Sequence, residues 1–166
     1  IPDREIVLFV SIRSYDEFIA SIYCEGLRWS WQSVSFADFW TRLDIDSLRW
    51  PFLLRRMTDA LRPAKIVVWR YEDFKDHAEQ ITSELAFGSL SSLNREVSTT
   101  LKSSMSHEAV RRIESLIGRC GRRATAQLVP FIDKMYSKDR GYTPFSPWSC
   151  DQRERLRELY ESHVRQ

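Results

Sequence analysis

Arg13 closes an apolar run and Ser21 stands eight residues later, in the segment Ile6-Val-Leu-Phe-Val-Ser-Ile-Arg13-Ser-Tyr-Asp-Glu-Phe-Ile-Ala-Ser21. A guanidinium offers planar, paired donors that match phosphate oxygens, and a serine hydroxyl adds a neutral donor. If the run is a strand and the residues after it a helix, Arg13 lies at a strand's carboxyl end beside a helix N-terminus. Unpaired amides and the helix dipole favour an anion at such a place. The chemistry open to this pair is therefore the binding of a phosphate, rather than the making of a bond. Other chemistry-bearing residues are dispersed. His77, His107 and His163 stand alone in the sequence, and Cys24, Cys120 and Cys150 are odd in number, far apart and without the spacing of a zinc or redox motif. Metal ligation is not expected.

The elements that must hold Arg13 and Ser21 follow from periodicity. Glu5 to Ile12 is short, apolar and rich in Val and Ile, which predicts a strand covered on both faces in a parallel sheet. Ser14-Tyr-Asp-Glu17 has the form of a capping box, so a helix starts at about residue 15. Its apolar residues Tyr15, Phe18, Ile19, Ile22 and Tyr23 form a stripe expected to pack on the sheet. Ser21 lies off that stripe, on the face shared with Glu17, Glu25 and Arg28, where it is open to a ligand. A second strand is expected over Lys65 to Trp69, leading into Arg70-Tyr71-Glu72-Asp73-Phe74. Polar groups thus collect where a parallel sheet presents its carboxyl edge. Strand, helices, strand is the pattern of a crossover connection.

Between the strands the chain is rich in aromatics: Trp29, Trp31, Phe36, Phe39, Trp40 and Trp50. They fit a core at helical spacing or, alternatively, the lining of an acceptor pocket. Pro51 suits the first turn of a helix that Arg62-Pro63 stops. After a helical stretch from Lys75 to about Ala86, residues 88–106 form a long loop, a candidate lid. Ser106 can cap a helix whose Ala109, Val110, Ile113, Leu116 and Ile117 face inward. Its Arg111, Arg112 and Arg119, with Arg122 and Arg123, read as a solvated face or else as a polyanion site. Residues 124–135 look helical with Pro130 as a kink or break, and Ser149-Cys-Asp-Gln152 opens a last helix that buries Leu156, Leu159 and Tyr160.

Composition sets the frame. The 166 residues suit one domain, and 25 basic against 23 acidic residues give a net charge of +2, which argues against a general nucleic-acid or membrane-surface role. No apolar run approaches the roughly 20 residues needed to span a bilayer, and the cysteine usage suits a cytoplasm.

Together, the strand ending in Arg13, Ser21 eight positions on, a helical insert and a strand leading into Tyr71-Glu72-Asp73 resemble the C-terminal two-thirds of the sulfotransferases, in a form similar to bacterial members. These enzymes use 3′-phosphoadenosine 5′-phosphosulfate. Leu101-Lys-Ser-Ser-Met-Ser-His-Glu-Ala-Val110 is similar to their loop-into-helix segment. The resemblance covers most of the chain and is strongest over residues 5 to 75. It implies an α/β fold, helix-rich, with a P-loop-NTPase-like parallel sheet and flanking helices, as a single domain over residues 1–166. It assigns Arg13 and Ser21 to the cofactor's 3′-phosphate, leaves the catalytic base unknown, and implies transfer of a sulfuryl group to an acceptor hydroxyl or amine. Glu72 and Asp73 would repel a phosphate and read as structural partners for backbone amides or for an arginine, with a catalytic base as the alternative.

The sequence departs from the family in three places. The Lys-x-Gly-Thr-Thr phosphosulfate loop has no counterpart, no histidine matches the family's base, and Tyr15 stands where a proline follows the arginine by two. Either the domain is N-terminally incomplete, lacking a strand and that loop, or it keeps a binding fold without the chemistry. The first is the expectation taken forward, with an exposed sheet edge that a homo-oligomer would cover. The competing functions are a non-catalytic interaction domain and a kinase-like nucleotide enzyme.

Overall fold

The structure is a computed structural model that describes residues 5–29, 31–85 and 104–165. It is an α/β protein, helix-rich, with a small parallel sheet. β1 (Val7–Ile12) pairs with β2 (Lys65–Arg70) in parallel, Val7 opposite Lys65 and Ile12 opposite Arg70. Parallel neighbours cannot be joined by a tight turn. The connection carries α1 (Tyr15–Arg28), α2 (Phe36–Arg42), a 3-10 turn at Ile45–Leu48 and α3 (Trp50–Leu61). A 3-10 turn at Tyr71–Asp73 then leads from β2 into α4 (Phe74–Leu85). The rest is α5 (His107–Cys120), α6 (Arg122–Thr125), α7 (Val129–Met135), a 3-10 turn at Lys138–Arg140 and α8 (Cys150–Val164). The expected lid over 88–106 lies, up to residue 103, outside the described residues.

The described residues divide into two compact units. One is drawn from Ile1–Ser14, Asp44–Thr99 and Tyr160–Gln166, the other from Tyr15–Leu43 and Thr100–Leu159.

The first unit holds the sheet. The Ala64 N–H donates to Ile6 O at 2.8 Å, extending the ladder one step before the named strands. β1 was expected to be covered on both faces, yet Val7 to Val10 are half-buried, Ser11 is exposed, and only Ile12 is buried. The reason is the size of the sheet: each strand has a single hydrogen-bonded neighbour among the described residues. Pro51 sits in the first turn of α3, where its missing N–H costs nothing. At the other end Arg62 turns left-handed (φ 46°, ψ 55°), so the helix stops before Pro63 as the sequence predicts.

The second unit is a helical core. Ala20, Tyr23, Cys24 and Leu27 of α1 pack with Met105, Val110 and Ile113, with Val129 of α7 and with Phe145. These α1 residues repeat at i, i+3, i+4 and i+7; of the stripe expected to be buried, Tyr15, Ile19 and Tyr23 are fully buried and Phe18 and Ile22 half-buried. Phe36 and Phe39 pack partly buried against the same core, which favours the core reading for this part of the aromatic insert; Trp29 and Trp31 are exposed. The Trp148 indole donates to Asp16 O at 2.7 Å and packs edge-on against Phe36 and Trp40. Two caps form as predicted. Ser106 Oγ accepts from the Ala109 N–H at 3.0 Å, and Ser149 and Gln152 exchange side-chain-to-backbone bonds at 3.0 and 3.2 Å. Of the kink or break expected at Pro130, the break forms: α6 ends at Thr125, and Pro130 lies in the first turn of α7.

Candidate functional site

Arg13 and Tyr71 are each the first residue past a paired strand end, because Ile12 is opposite Arg70 in the parallel ladder. Adjacent strands run about 4.8 Å apart, so side chains leaving these two positions can meet face to face. They do: Arg13 Cζ lies 4.6 Å from the centroid of the Tyr71 ring. A cation over a ring face is attracted by the ring's negative face, and the guanidinium's N–H donors lie in its own plane, which is the direction a phosphate approaches. Arg13 is half-buried and Tyr71 is exposed.

The backbone after Arg13 is held from two directions. The Trp50 indole N–H donates to Arg13 O at 2.8 Å, and the Ser14 N–H donates to Glu72 Oε1 at 3.0 Å. In the expected capping box the Ser14 amide would have bonded to Glu17; here it bonds to Glu72, 58 residues away, which no local pattern could announce. The other Glu72 oxygen, Oε2, accepts from the Tyr160 hydroxyl at 3.1 Å. Burial and the Glu72 charge raise the Tyr160 pKa above the usual tyrosine value, which keeps the hydroxyl a donor. Glu72 therefore acts as a partner for a backbone amide.

Asp73 and Glu161 face Arg70 instead. Arg70 Nη2 donates to Glu161 Oε1 at 2.7 Å, its Nε lies 4.0 Å from Asp73 Oδ2, and its guanidinium sits 5.4 Å over the Tyr160 ring. The 4.0 Å approach is a charge contact beyond hydrogen-bond reach. Burial alone would lower the Arg70 pKa, but Tyr160, Glu161 and Asp73 together raise it. Asp73 and Glu161 thus face Arg70, and Glu72 meets two neutral donors. A cavity of about 340 Å³ opens beside β2, with Arg70, Asp73, His77 and Gln80 among its lining residues.

Ser21 is half-buried on α1. Arg13 belongs to the unit that holds the sheet and Ser21 to the helical unit. The first turn of α1 carries a buried acid that periodicity did not single out. Asp16 is 3% exposed, and its Oδ2 accepts from Arg157 Nε at 3.1 Å. Sequence reasoning also missed Tyr71 and Trp50 as neighbours of Arg13 and Tyr160 as the partner of Glu72. For Tyr71 a signal existed, since an aromatic directly after a parallel strand falls beside its neighbour's end. For Tyr160 periodicity announced burial only.

No protein-family model, curated protein sequence or solved structure matches this chain.

Proposed function

We propose that this chain is the nucleotide-anchoring part of a sulfotransferase with a P-loop-like fold. The observation that carries the reading is the Arg13 guanidinium over the Tyr71 ring at the carboxyl end of two parallel strands joined by helices. This is where α/β sheets bind ligands, and a cation whose donors are held in plane suits a terminal phosphate. When bound, 3′-phosphoadenosine 5′-phosphosulfate supplies the sulfuryl group that passes to an acceptor hydroxyl or amine. Arg13 grips the 3′-phosphate through paired N–H bonds, and Ser21 is the second donor that the eight-residue spacing assigns to it. Both residues contribute affinity and register for the nucleotide and leave bond-making to other groups. Glu72 and Asp73 act through the backbone and Arg70, not on the acceptor. The same reading places the enzyme in the cytoplasm, in keeping with three free cysteines, and leaves a sheet edge for a second copy to cover.

Ligand preference tests the reading. Calorimetric titration should show adenosine 3′,5′-bisphosphate binding at least tenfold more tightly than 5′-AMP or Mg-ATP, as expected where a second phosphate gains a charge-assisted contact. A preference for Mg-ATP would instead identify a kinase-like site, and indifference to all three an interaction domain.

A further inference from the structure

We infer that Tyr160 is a positioning residue for Arg13, acting through Glu72; the inference deepens the nucleotide-anchor reading and rests on it for its consequence in binding. Arg13 C=O and Ser14 N–H belong to one peptide unit, which is planar and rigid. Trp50 holds its oxygen at 2.8 Å and Glu72 holds its N–H at 3.0 Å. A peptide plane fixed at both polar ends fixes the ψ of Arg13, and with it the direction in which the side chain leaves the backbone. Of the two holders, the Trp50 ring is buried and therefore immobile, whereas Glu72 is an exposed side chain with freely rotating bonds.

Tyr160 removes that freedom. Its hydroxyl occupies Glu72 Oε2 at 3.1 Å while Ser14 occupies Oε1, so the carboxylate is held at both oxygens. Tyr160 is itself 2% exposed, and its ring lies under the Arg70 guanidinium, which is tied to the next residue, Glu161. The chain from Tyr160 to Glu72 to the Arg13–Ser14 peptide lies within one compact unit. Because Glu72 is exposed, water can replace the lost hydroxyl. The cost of removing that hydroxyl then falls on orientation more than on stability, which separates positioning from a purely structural role.

The test uses the full chain carrying Tyr160→Phe, which keeps the ring beneath the Arg70 guanidinium while removing the hydroxyl's bonds to Glu72 and Arg70, and, separately, Glu72→Gln. Three readings are taken: Ser14 amide exchange, the Trp50 indole resonance, and calorimetric preference for adenosine 3′,5′-bisphosphate over 5′-AMP. In Tyr160→Phe we expect faster Ser14 exchange, a shifted Trp50 indole signal and a preference reduced about threefold to tenfold, the span of one modest hydrogen bond. Unchanged Ser14 and Trp50 signals would overturn the inference. If the unmodified chain does not discriminate the two nucleotides, the nucleotide reading fails, and the two resonances still decide whether Tyr160 positions the turn. Should Tyr160→Phe not fold, the same signals in Glu72→Gln decide it.

Discussion

The Trp50 indole N–H reaches across 37 residues of chain to the carbonyl oxygen of Arg13, at 2.8 Å. Trp50 is 6% exposed, so it is at once a core residue and the clamp on the turn that presents the arginine. Trp50→Phe removes the donor and part of the ring volume. The combined cost is about 1–3 kcal/mol, read as a lower urea midpoint, and nucleotide affinity should fall with it. A midpoint unchanged from the parent chain would show that the clamp contributes nothing.

What could be read from the sequence was local. β1 and β2, the Ser106 and Ser149-Gln152 caps, Pro51 and the stop at Arg62 all depend on residues a few positions apart, and periodicity and cap chemistry placed them. What could not be read was decided at a distance. Glu72 takes the Ser14 amide and Tyr160 takes Glu72, at separations of 58 and 88 residues. That Ala20, Cys24 and Leu27 of α1 are buried beside the expected Tyr15, Ile19 and Tyr23 follows from packing with Met105, Val110, Ile113 and Val129. The Arg13 end of the candidate site was thus legible as a position, and its supporting contacts were not.

Tyr23 is the central polar group of the helical unit. It is fully buried, and its hydroxyl lies 2.6 Å from Glu114 Oε1 and 2.9 Å from Val34 O. Burial, then the Glu114 hydrogen bond and charge, push its pKa far above the ordinary value, so it stays protonated. Tyr23→Phe removes the one proton shared between these acceptors, of which Glu114 Oε1 keeps the Phe36 N–H at 2.8 Å, at a cost of about 1–3 kcal/mol, measurable by urea unfolding at unchanged slope.

The three cysteines should separate by reactivity. Burial pushes the Cys24 thiol up to about 12, while Cys120 and Cys150 are exposed. Because the thiolate is the nucleophile, Cys24 is inert near pH 8. A thiol reagent should label Cys120 and Cys150 in the folded chain and Cys24 only after denaturation. Labelling of Cys24 under native conditions would contradict its burial.

Glu108 carries a pH signature on an exposed face. Hydrogen bonds from Arg111 and then Arg112 hold its carboxyl down at about 2, below the ordinary 4.5. The folded value is depressed, so the stabilising pair is fully present above the unfolded value and is lost as pH falls through about 2. Carboxyl carbon resonances should show Glu108 titrating near 2, and Arg111→Gln or Arg112→Gln should move its midpoint upward. A midpoint near 4.5 in the unmodified chain would remove both contacts from the account.

The central claim is that Arg13 anchors a 3′-phosphate, and its most direct measurement is calorimetric titration of adenosine 3′,5′-bisphosphate into the unmodified chain, Arg13→Lys and Arg13→Ala. The account predicts saturable binding in the unmodified chain. It also predicts a loss of about tenfold or more in Arg13→Ala and only partial recovery in Arg13→Lys, because a point charge cannot replace a paired, ring-stacked fork. Equal affinity in all three proteins would contradict it.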